Sequence, residues 1–210
     1  MKNSLVSIAY MFLITFLFTS LVSAVKFFNE EKILNNEKTK LQKVVLHVLD
    51  ISIINKADEE ILQLFESRIR VKKNLNDVKY YVAYENDVET ISGYAFTVGG
   101  SGFWGPIEAI VAVDDKLSKI KGISFYKHTE TPGLGARITE KWFTKQFEGL
   151  SLHPVSAGEK MFYLKPLGSK TDEKDLDAIT GATGTSRAVE NFLNSELDII
   201  LKNFDPLRKG

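Results

Sequence analysis

The sequence predicts an α+β fold, with one N-terminal transmembrane helix followed by a mostly antiparallel sheet domain packed with helices. An uncharged run of 21 residues lies near the start of the chain, strand-like segments follow one another in its middle, and an amphipathic run lies near its end. Successive strands without intervening helices favour an antiparallel sheet. We therefore predict an anchor over residues 1–25, a helical stalk or packing segment over 26–76 and a sheet domain over 77–210.

The anchor prediction is based on the segment Leu5–Val25, which contains no charged residue. A helix of this length is about 32 Å long, which matches a hydrocarbon core of roughly 30 Å. The small residues Val22–Ala24 would also suit cleavage of a signal peptide, but the apolar run is longer than a usual signal core, which favours a retained anchor. More lysines follow the segment than precede it, so a positive-inside count would keep the domain in the cytoplasm, although long domains cross regardless of such charges.

The composition argues against several classes of site. Lys plus Arg and Asp plus Glu both number 27, and no basic stripe of the kind that binds nucleic acid is present. The chain has no cysteine, so it offers no disulfide, thiolate iron–sulfur ligand or cysteine nucleophile. Its histidines, His47, His128 and His153, are isolated from one another, so we predict no metal site.

Each element after the anchor has its own pattern. Apolar residues at helical spacing predict helices in the stalk, around Leu41–Val48 and Ile61–Phe65. Runs of β-branched and aromatic residues between turn residues predict strands. These strands are Val78–Glu85, Thr90–Val98, Ile107–Asp114, Ile120–His128 and Lys160–Leu167. A helix is predicted over Ile138–Leu150, a loop over Gly168–Lys174, and a last helix from about Ala182 to Phe204.

The last helix has a clear apolar stripe and a stop signal. The stripe consists of Val189, Phe192, Leu193, Leu197, Ile200 and Phe204. Pro206 is expected to end the helix, because proline lacks the backbone donor that a helix interior needs.

A loop rich in threonine and glycine, Thr180–Ser186, directly precedes this helix. Unpaired N–H groups and the positive end of the dipole make a helix N-terminus a favourable place for an anion. Gly181 would let the backbone approach a phosphate closely, Gly184 would keep the next turn uncrowded, and Arg187 could add a charged contact. No Gly-Lys-Ser/Thr of a Walker loop follows. The alternative is an ordinary N-cap by the side chain of Thr180 or Asp177.

Two further segments suggest a ligand site. In His128–Ile138, Pro132 makes the preceding residue extended, and Gly133 and Gly135 allow backbone shapes closed to other residues. A loop with so few side chains can lie flat along a planar ligand. In Gly99–Ile110, Phe103 and Trp104 stand among glycines. This indicates exposed aromatics that stack or that contact a membrane or a protein, or, alternatively, a core tryptophan.

At these segments the sequence resembles a known family, the FMN-binding domain of the Rnf complex G subunit and of the C subunit of sodium-translocating NADH:quinone reductase. The resemblance covers roughly Gly93–Phe204 and the single membrane helix. It is carried by the Gly-Phe-Trp-Gly run Gly102–Gly105, by "ETPGLG" at Glu130–Gly135, and by "DAITGAT" at Asp177–Thr183. The last corresponds to the family's Asp-x-x-Ser/Thr-Gly-Ala-Thr flavinylation motif.

The resemblance implies that FMN is joined through its phosphate to the hydroxyl of Thr183 by a flavin transferase that uses FAD as donor. Asp177 would serve recognition by the transferase, Thr180, Gly181 and Ala182 would shape the phosphate turn, and Thr185 and Ser186 would be phosphate ligands. Other residues would border the isoalloxazine ring, and Phe103 or Trp104 would stack on it. The bordering residues are Glu130, Thr131, Gly133, Leu134 and Gly135.

The resemblance also implies a role and a location. The protein would relay electrons as one subunit of an ion-pumping oxidoreductase, with other membrane subunits and the lipid bilayer as partners and no nucleic acid. Covalent attachment prevents loss of a small cofactor outside the cytoplasm, so we expect the domain on the extracytoplasmic side of the cell membrane. The alternatives are a stand-alone extracytoplasmic flavin carrier, a scaffold without flavin and a nucleotide-binding enzyme.

Overall fold

The computed structural model describes residues 2–73, 79–86, 89–153, 156 and 159–204, and the chain divides into two compact units, Met1–Lys40 and Leu41–Gly210. Helix α1 (Lys2–Val48) begins in the first unit and ends in the second. The apolar residues from Leu5 to Val25 are exposed, and among the described residues α1 is the single helix long and apolar enough to cross a membrane. The predicted long apolar helix at the N-terminus is confirmed.

A five-stranded antiparallel sheet, in which each strand pairs with the next along the chain, is the centre of the second unit. Its strands are β1 (Ile69–Lys73), β2 (Lys79–Tyr84), β3 (Ile91–Ser101), β4 (Pro106–Val113) and β5 (Ile120–Lys127). The α+β prediction is therefore confirmed, and the four predicted strands of the sheet correspond to β2–β5. The sequence analysis missed β1. Val78, at the start of the first predicted strand, lies outside the described residues.

Both faces of this sheet are buried. Along β3 and β4, Phe96, Val98 and Val111 contribute to one hydrophobic core, while Ala95 and Ile110 contribute to the other. This follows from the alternation of side chains along a strand. Burial on both faces explains why the sequence of β4 reads as a nearly continuous apolar run.

The second core is closed by the end of α1 and by helix α2 (Asp58–Arg68). The predicted apolar stripes supply Val45, Val48, Ile61 and Phe65 to this core, where they lie with Leu46 of α1 and with Ala83, Ala95 and Ala112 of the sheet. These residues thus pack on the sheet as part of the Leu41–Gly210 unit. The division into residues 1–25, 26–76 and 77–210 remains a proposal.

The predicted helix Ile138–Leu150 is wrong as one element. The structure has a 3-10 turn at Gly135–Thr139, a short helix α3 (Lys141–Thr144) and a second 3-10 turn at Lys145–Phe147. Glu140 is extended, with φ −71° and ψ 142°, which interrupts the helix. The break lets Ile138, Phe143 and Phe147 all reach the core at spacings of five and four residues, which one straight helix would not place on a single line.

The C-terminal part contains a small parallel pair of strands and the last helix. Strand β6 (Tyr163–Lys165) is shorter than the predicted strand Lys160–Leu167, and it pairs with β7 (Asp175–Asp177), which the sequence did not predict. Helix α4 (Thr183–Asn203) agrees with the predicted last helix. Pro206, the expected stop signal, lies outside the described residues.

Close packing fixes α4 on the sheet. A Cβ at Gly100 of β3 would lie 2.4 Å from Cβ of Phe192, so this glycine lets the helix approach the strand. On the opposite side, Oδ1 of the buried Asn194 accepts a hydrogen bond from the backbone N–H of Met161 at 2.7 Å, and its Nδ2 donates to the carbonyl of Phe162 at 3.1 Å. These contacts hold the middle of α4 against β3 and against the segment that precedes β6.

Candidate functional site

A tight turn leads from β7 into α4. The N–H of Ala182 donates to the carbonyl of Ile179 at 3.0 Å, and Gly181 has φ +80°. A positive φ at the third residue is the signature of a type II turn, in which glycine is strongly preferred. Gly181 is therefore needed for the backbone conformation that brings Thr183 to the first position of the helix.

The N-terminus of α4 has no side-chain cap. The N-cap residue is Ala182, and no side chain accepts a hydrogen bond there. The N-cap alternative, with Thr180 or Asp177 as the capping residue, is therefore wrong. The first intrahelical bond runs from the N–H of Ser186 to the carbonyl of Ala182, which leaves the N–H groups of residues 183–185 without a helical acceptor.

The hydroxyl residues of this loop have different surroundings. Oγ of the buried Ser186 accepts from the N–H of Ile179 at 3.0 Å and ties the turn to the helix. The hydroxyl of the buried Thr185 donates to Oε2 of Glu130 at 2.5 Å. Thr180 and Thr183 are exposed, and in the part of the chain that the structure describes their hydroxyls have no hydrogen-bond partner.

Thr183 lies in a cleft of about 200 Å³ between the start of α4 and two loops of the sheet. The cleft brings together most of the residues that the sequence analysis had proposed from three distant segments. Its lining consists of Phe103, Trp104, Glu130, Thr131, Leu134, Gly135, Gly181, Ala182, Thr183, Gly184 and Thr185. A site that encloses a drug-sized ligand usually measures about 300–1,000 Å³, so a ligand the size of a flavin would project from this cleft.

The rim of the cleft is apolar and exposed. Phe103 is 61% exposed and Trp104 is 67% exposed, and their rings meet edge to face at 5.2 Å. The alternative of a core tryptophan is therefore wrong for Trp104. The exposed Leu134 also lines the cleft, and its Cδ2 would be 3.2 Å from a Cβ at Gly181. Exposed aromatic and aliphatic side chains that line the same cleft suit a flat ring system.

Gly184 has a role that the sequence analysis did not foresee. A Cβ at this position would lie 2.4 Å from Cδ2 of Phe103, so the missing side chain lets the aromatic ring lie on the first turn of the helix. The spacing of the "GATG" run gave no indication of this contact, because Phe103 is 81 positions earlier in the sequence.

Five proposed residues lie outside this cleft, namely Gly133, Asp177, Thr180, Ser186 and Arg187. Gly133 has φ +75° and faces open space. Thr180 and Ser186 line a neighbouring cleft of about 310 Å³, together with Thr183 and Arg187. Asp177, at the end of β7, forms an ion pair with Lys170 at 2.8 Å.

The segment that leads into β7 is fixed by a buried carboxylate. Oδ2 of Asp175 accepts from Nζ of Lys165 at 2.7 Å and from the N–H groups of Thr171 and Asp172. The Lys165 ammonium and these backbone donors hold the pKa of Asp175 well below its usual range. The carboxylate therefore stays ionised and holds the polar loop against the start of β7.

The site fits the phosphate and ring of FMN. Uncapped helix amides suit a phosphate, the exposed hydroxyl of Thr183 is available for a bond to it, and the apolar rim suits the ring. In the described part of the chain, Arg187, one helical turn after Thr183, has no ion-pair partner and lines the neighbouring cleft with it. The chemistry of the donors and the shape of the cleft agree on the same cofactor.

Comparison with known proteins gives an independent assignment. The family model of the FMN-binding domain matches residues 102–198. The chain is 30% identical over 183 residues to the C subunit of the Na(+)-translocating NADH-quinone reductase of Chlamydia muridarum, a match that covers 80% of this chain and 52% of that protein. It is 28% identical over 190 residues to the G subunit of the ion-translocating oxidoreductase complex of Buchnera aphidicola, a match that covers 88% of this chain and 82% of that protein.

A solved structure shares the fold. The crystal structure of the C subunit of the Na(+)-translocating NADH-quinone reductase from Parabacteroides distasonis superimposes with a TM-score of 0.65 at 24% identity, over 80% of this chain and 92% of that one. The chain spans about half the length of the reductase relatives that it matches. The family match shows an FMN-binding domain in this chain, which is similar in sequence to C subunits of the NADH-quinone reductases and to a G subunit of an ion-translocating oxidoreductase, and similar in fold to one such C subunit.

Proposed function

We propose that this protein is a membrane-anchored flavoprotein subunit that relays electrons through an FMN esterified to Thr183, within an ion-pumping oxidoreductase of the Rnf or NADH:quinone reductase type. One observation carries the proposal. Thr183 is exposed, its hydroxyl has no partner among the described residues, and it begins an uncapped 21-residue helix beside an aromatic-rimmed cleft.

The attachment is a phosphoryl transfer that needs a second protein. Oγ of Thr183 attacks the phosphorus of FAD that carries the flavin side. The pyrophosphate P–O bond breaks, AMP leaves with the bonding electrons, and the hydroxyl proton passes to a base of the flavin transferase. Asp177 is the proposed recognition residue for that enzyme, and Thr180, Gly181 and Ala182 form the turn that presents Thr183.

The chain stabilises the product electrostatically. A phosphodiester carries one negative charge, and a charge at a helix N-terminus gains about 0.3–1 kcal/mol at an exposed site and up to ~2 kcal/mol when partly buried. The N–H groups of residues 183–185 are the donors, and Arg187 adds a charge-assisted contact from the same helix face. Thr185 and Ser186, whose hydroxyls already have protein partners, would contribute through backbone N–H groups and turn geometry.

The cleft orients the ring and leaves part of it accessible. Trp104 and Phe103 would stack on one side and Leu134 would contact the other, while Thr131 and Gly135 form the adjoining wall. FMN supplies the redox chemistry when bound, and the protein contributes orientation and electrostatics. Since a flavin would be only partly enclosed, a redox partner can approach its exposed edge, which is the property that an electron relay needs.

The anchor and the covalent bond together support a location. The apolar part of α1 would hold the protein in the lipid bilayer beside the other membrane subunits. Retention through Thr183 is most useful where lost FMN cannot be replaced, which supports the extracytoplasmic side of the membrane.

The proposal is tested by producing the chain together with a flavin transferase. We expect the wild-type protein to keep flavin fluorescence on a denaturing gel, and Thr183→Ala to lose it. Ser195→Ala is the matched control, because it removes an exposed hydroxyl of the same helix that does not line the cleft, and it should keep most of the flavin. Retained covalent flavin in Thr183→Ala would contradict the assignment. Purification of the native protein without other membrane subunits would contradict the role in a complex.

A further inference from the structure

The side chain of Glu130 joins three segments that are distant in the sequence. The residue is only 4% exposed. Its Oε1 accepts hydrogen bonds from the backbone N–H groups of Phe103 at 2.8 Å and of Trp104 at 3.0 Å. Its Oε2 accepts from the hydroxyl of Thr185 on α4 at 2.5 Å. One carboxylate therefore connects the aromatic loop, the loop that follows β5 and the first turn of the helix.

The carboxylate of Glu130 occupies space that is free only because its neighbours Gly102 and Gly135 have no side chain. A Cβ at Gly102 would lie 2.5 Å from Oε1 of Glu130, and a Cβ at Gly135 would lie 2.6 Å from Oε2. The N–H of Glu130 itself donates to Nδ1 of His128 at 3.2 Å. Glycines on both sides thus allow a buried carboxylate to reach all its donors at once.

These bonds have an important consequence for the cleft. The rings of Phe103 and Trp104 are mostly exposed, so hydrophobic burial does little to hold their loop in place. The four-residue turn closes on itself, with the N–H of Gly102 donating to the carbonyl of Gly105 at 2.7 Å. The ring of Phe103 packs on Gly184 of α4, and Glu130 ties the turn to α4 through hydrogen bonds. A carboxylate that accepts several hydrogen bonds in a buried place is held firmly, because each bond to a charged group is stronger than a neutral one.

We propose that Glu130 is the positioning residue of the flavin site: it fixes the Phe103–Trp104 loop against the start of α4, so that the cleft is formed before any flavin is attached. Glu130 thus acts through the aromatic loop and Thr185. Its part in flavin binding depends on the function proposed above, whereas its part in shaping the cleft does not.

The first experiment measures the cleft without flavin. The full chain is produced in cells without a flavin transferase, purified in mild detergent, and followed by residue-resolved hydrogen–deuterium exchange. In Glu130→Ala we expect the amides of Phe103 and Trp104 to exchange at least about tenfold faster, as expected for the loss of a hydrogen bond to a charged group. Glu130→Gln should retain most of the protection, because its carbonyl oxygen can accept from both amides while its NH₂ group faces Thr185.

The matched control is Glu190→Ala. Like Glu130, Glu190 is largely buried and accepts from a backbone N–H, that of Leu164, but it lies on α4 itself. This variant should leave exchange at Phe103 and Trp104 unchanged. Equal exchange of these amides in the wild type and in Glu130→Ala would overturn the proposal, as would an acceleration in Glu190→Ala as large as that in Glu130→Ala.

The second experiment measures flavin attachment in the same variants, with Thr185→Val added in case Glu130→Ala does not fold. With the transferase present, we expect Glu130→Ala to carry less flavin than Glu130→Gln. Thr185→Val removes only the hydrogen bond between Glu130 and α4. The amides of Phe103 and Trp104 should therefore stay protected from exchange, while flavin attachment should be lost. Full flavin loading of Thr185→Val and Glu130→Ala would overturn the proposal. If the wild type takes up no flavin, the proposed function fails, and the exchange data still decide whether Glu130 shapes the cleft.

Discussion

Gly133 and Gly135 lie two residues apart in the loop between β5 and α3, and the structure needs glycine at each position for a different reason. Gly133 has φ +75° and no atom within 4 Å of the place that a Cβ would take, whereas Gly135 is buried and a Cβ there would lie 2.4 Å from Oγ1 of Thr185 and 2.6 Å from Oε2 of Glu130. The first position is restricted by backbone conformation and the second by space. Alanine substitutions separate the two effects.

The expected costs follow from these two causes. Gly133→Ala forces an L-residue into the left-handed region, which lowers the free energy of unfolding by about 1–2 kcal/mol. Gly135→Ala combines overpacking, which costs roughly 1–3 kcal/mol, with damage to a hydrogen bond to a charged group worth about 1.5–3 kcal/mol. We therefore expect a loss of about 3–5 kcal/mol for Gly135→Ala, and loss of flavin attachment only in this variant.

Urea denaturation of the full chain in mild detergent, followed by circular dichroism, measures both losses. Thr185→Ala removes the oxygen nearest to the new Cβ, so Gly135→Ala and Thr185→Ala together should cost less than the sum of the two single changes, by about 0.5–3 kcal/mol. A Gly135→Ala protein as stable as the wild type, or less affected than Gly133→Ala, would refute the steric argument.

The other predictions concern the helix charge, the buried carboxylate and the core. Arg187→Gln should slow flavin attachment and change the free energy of unfolding by less than about 0.5 kcal/mol; equal rates of mass gain in a timed transferase reaction would contradict the proposed phosphate contact. Lys165 and backbone donors lower the pKa of Asp175 below its ordinary value of 3.8. The ionised carboxylate therefore stabilises the fold above about pH 4, and this stabilisation is lost as the pH falls toward the lowered pKa. The stability difference between the wild type and Asp175→Asn should therefore shrink in acid denaturation series below about pH 4, and a constant difference would contradict this. Phe204 contacts three aromatic rings of β2 and β3 at centroid distances of 4.8–5.1 Å, and Phe204→Ala should lower the free energy of unfolding by about 3 kcal/mol, measured in urea; a loss near zero would show that this cluster does not stabilise the fold.

The sequence predicted the elements whose patterns are local. Strands β2–β5 consist of alternating apolar residues or of runs rich in β-branched residues, and α4 has an apolar stripe. Each element was therefore predicted from its own residues. Strand β1 was missed because four of the five residues of Ile69–Lys73 are exposed, and its pairing with β2 supplies what its own pattern lacks. The helix at Ile138–Leu150 failed because the extended Glu140 breaks a segment whose composition favours a helix, a case in which tertiary packing overrides local propensity.

In the site, too, the sequence predicted the features that depend on a short segment and missed the contacts between distant segments. The turn at Gly181 and the open helix N-terminus could be proposed from a short segment, because glycine and helix ends have general properties. The bonds from Phe103, Trp104 and Thr185 to Glu130 join residues 26–55 positions apart, and one sequence contains no signal for such pairs. Glu130 was therefore predicted to border the ring, and the structure adds that its carboxylate accepts hydrogen bonds from the loops around the cleft.

Peptide mass spectrometry of the protein from cells that contain the attaching enzyme tests the central proposal most directly. Trypsin is expected to release Asp175–Arg187, which contains every hydroxyl residue of the loop, and fragmentation distinguishes Thr180, Thr183, Thr185 and Ser186. We predict that this peptide is heavier by the mass of FMN less one water and that the added mass lies on Thr183. An unmodified peptide, or the added mass on any other residue, would contradict the account.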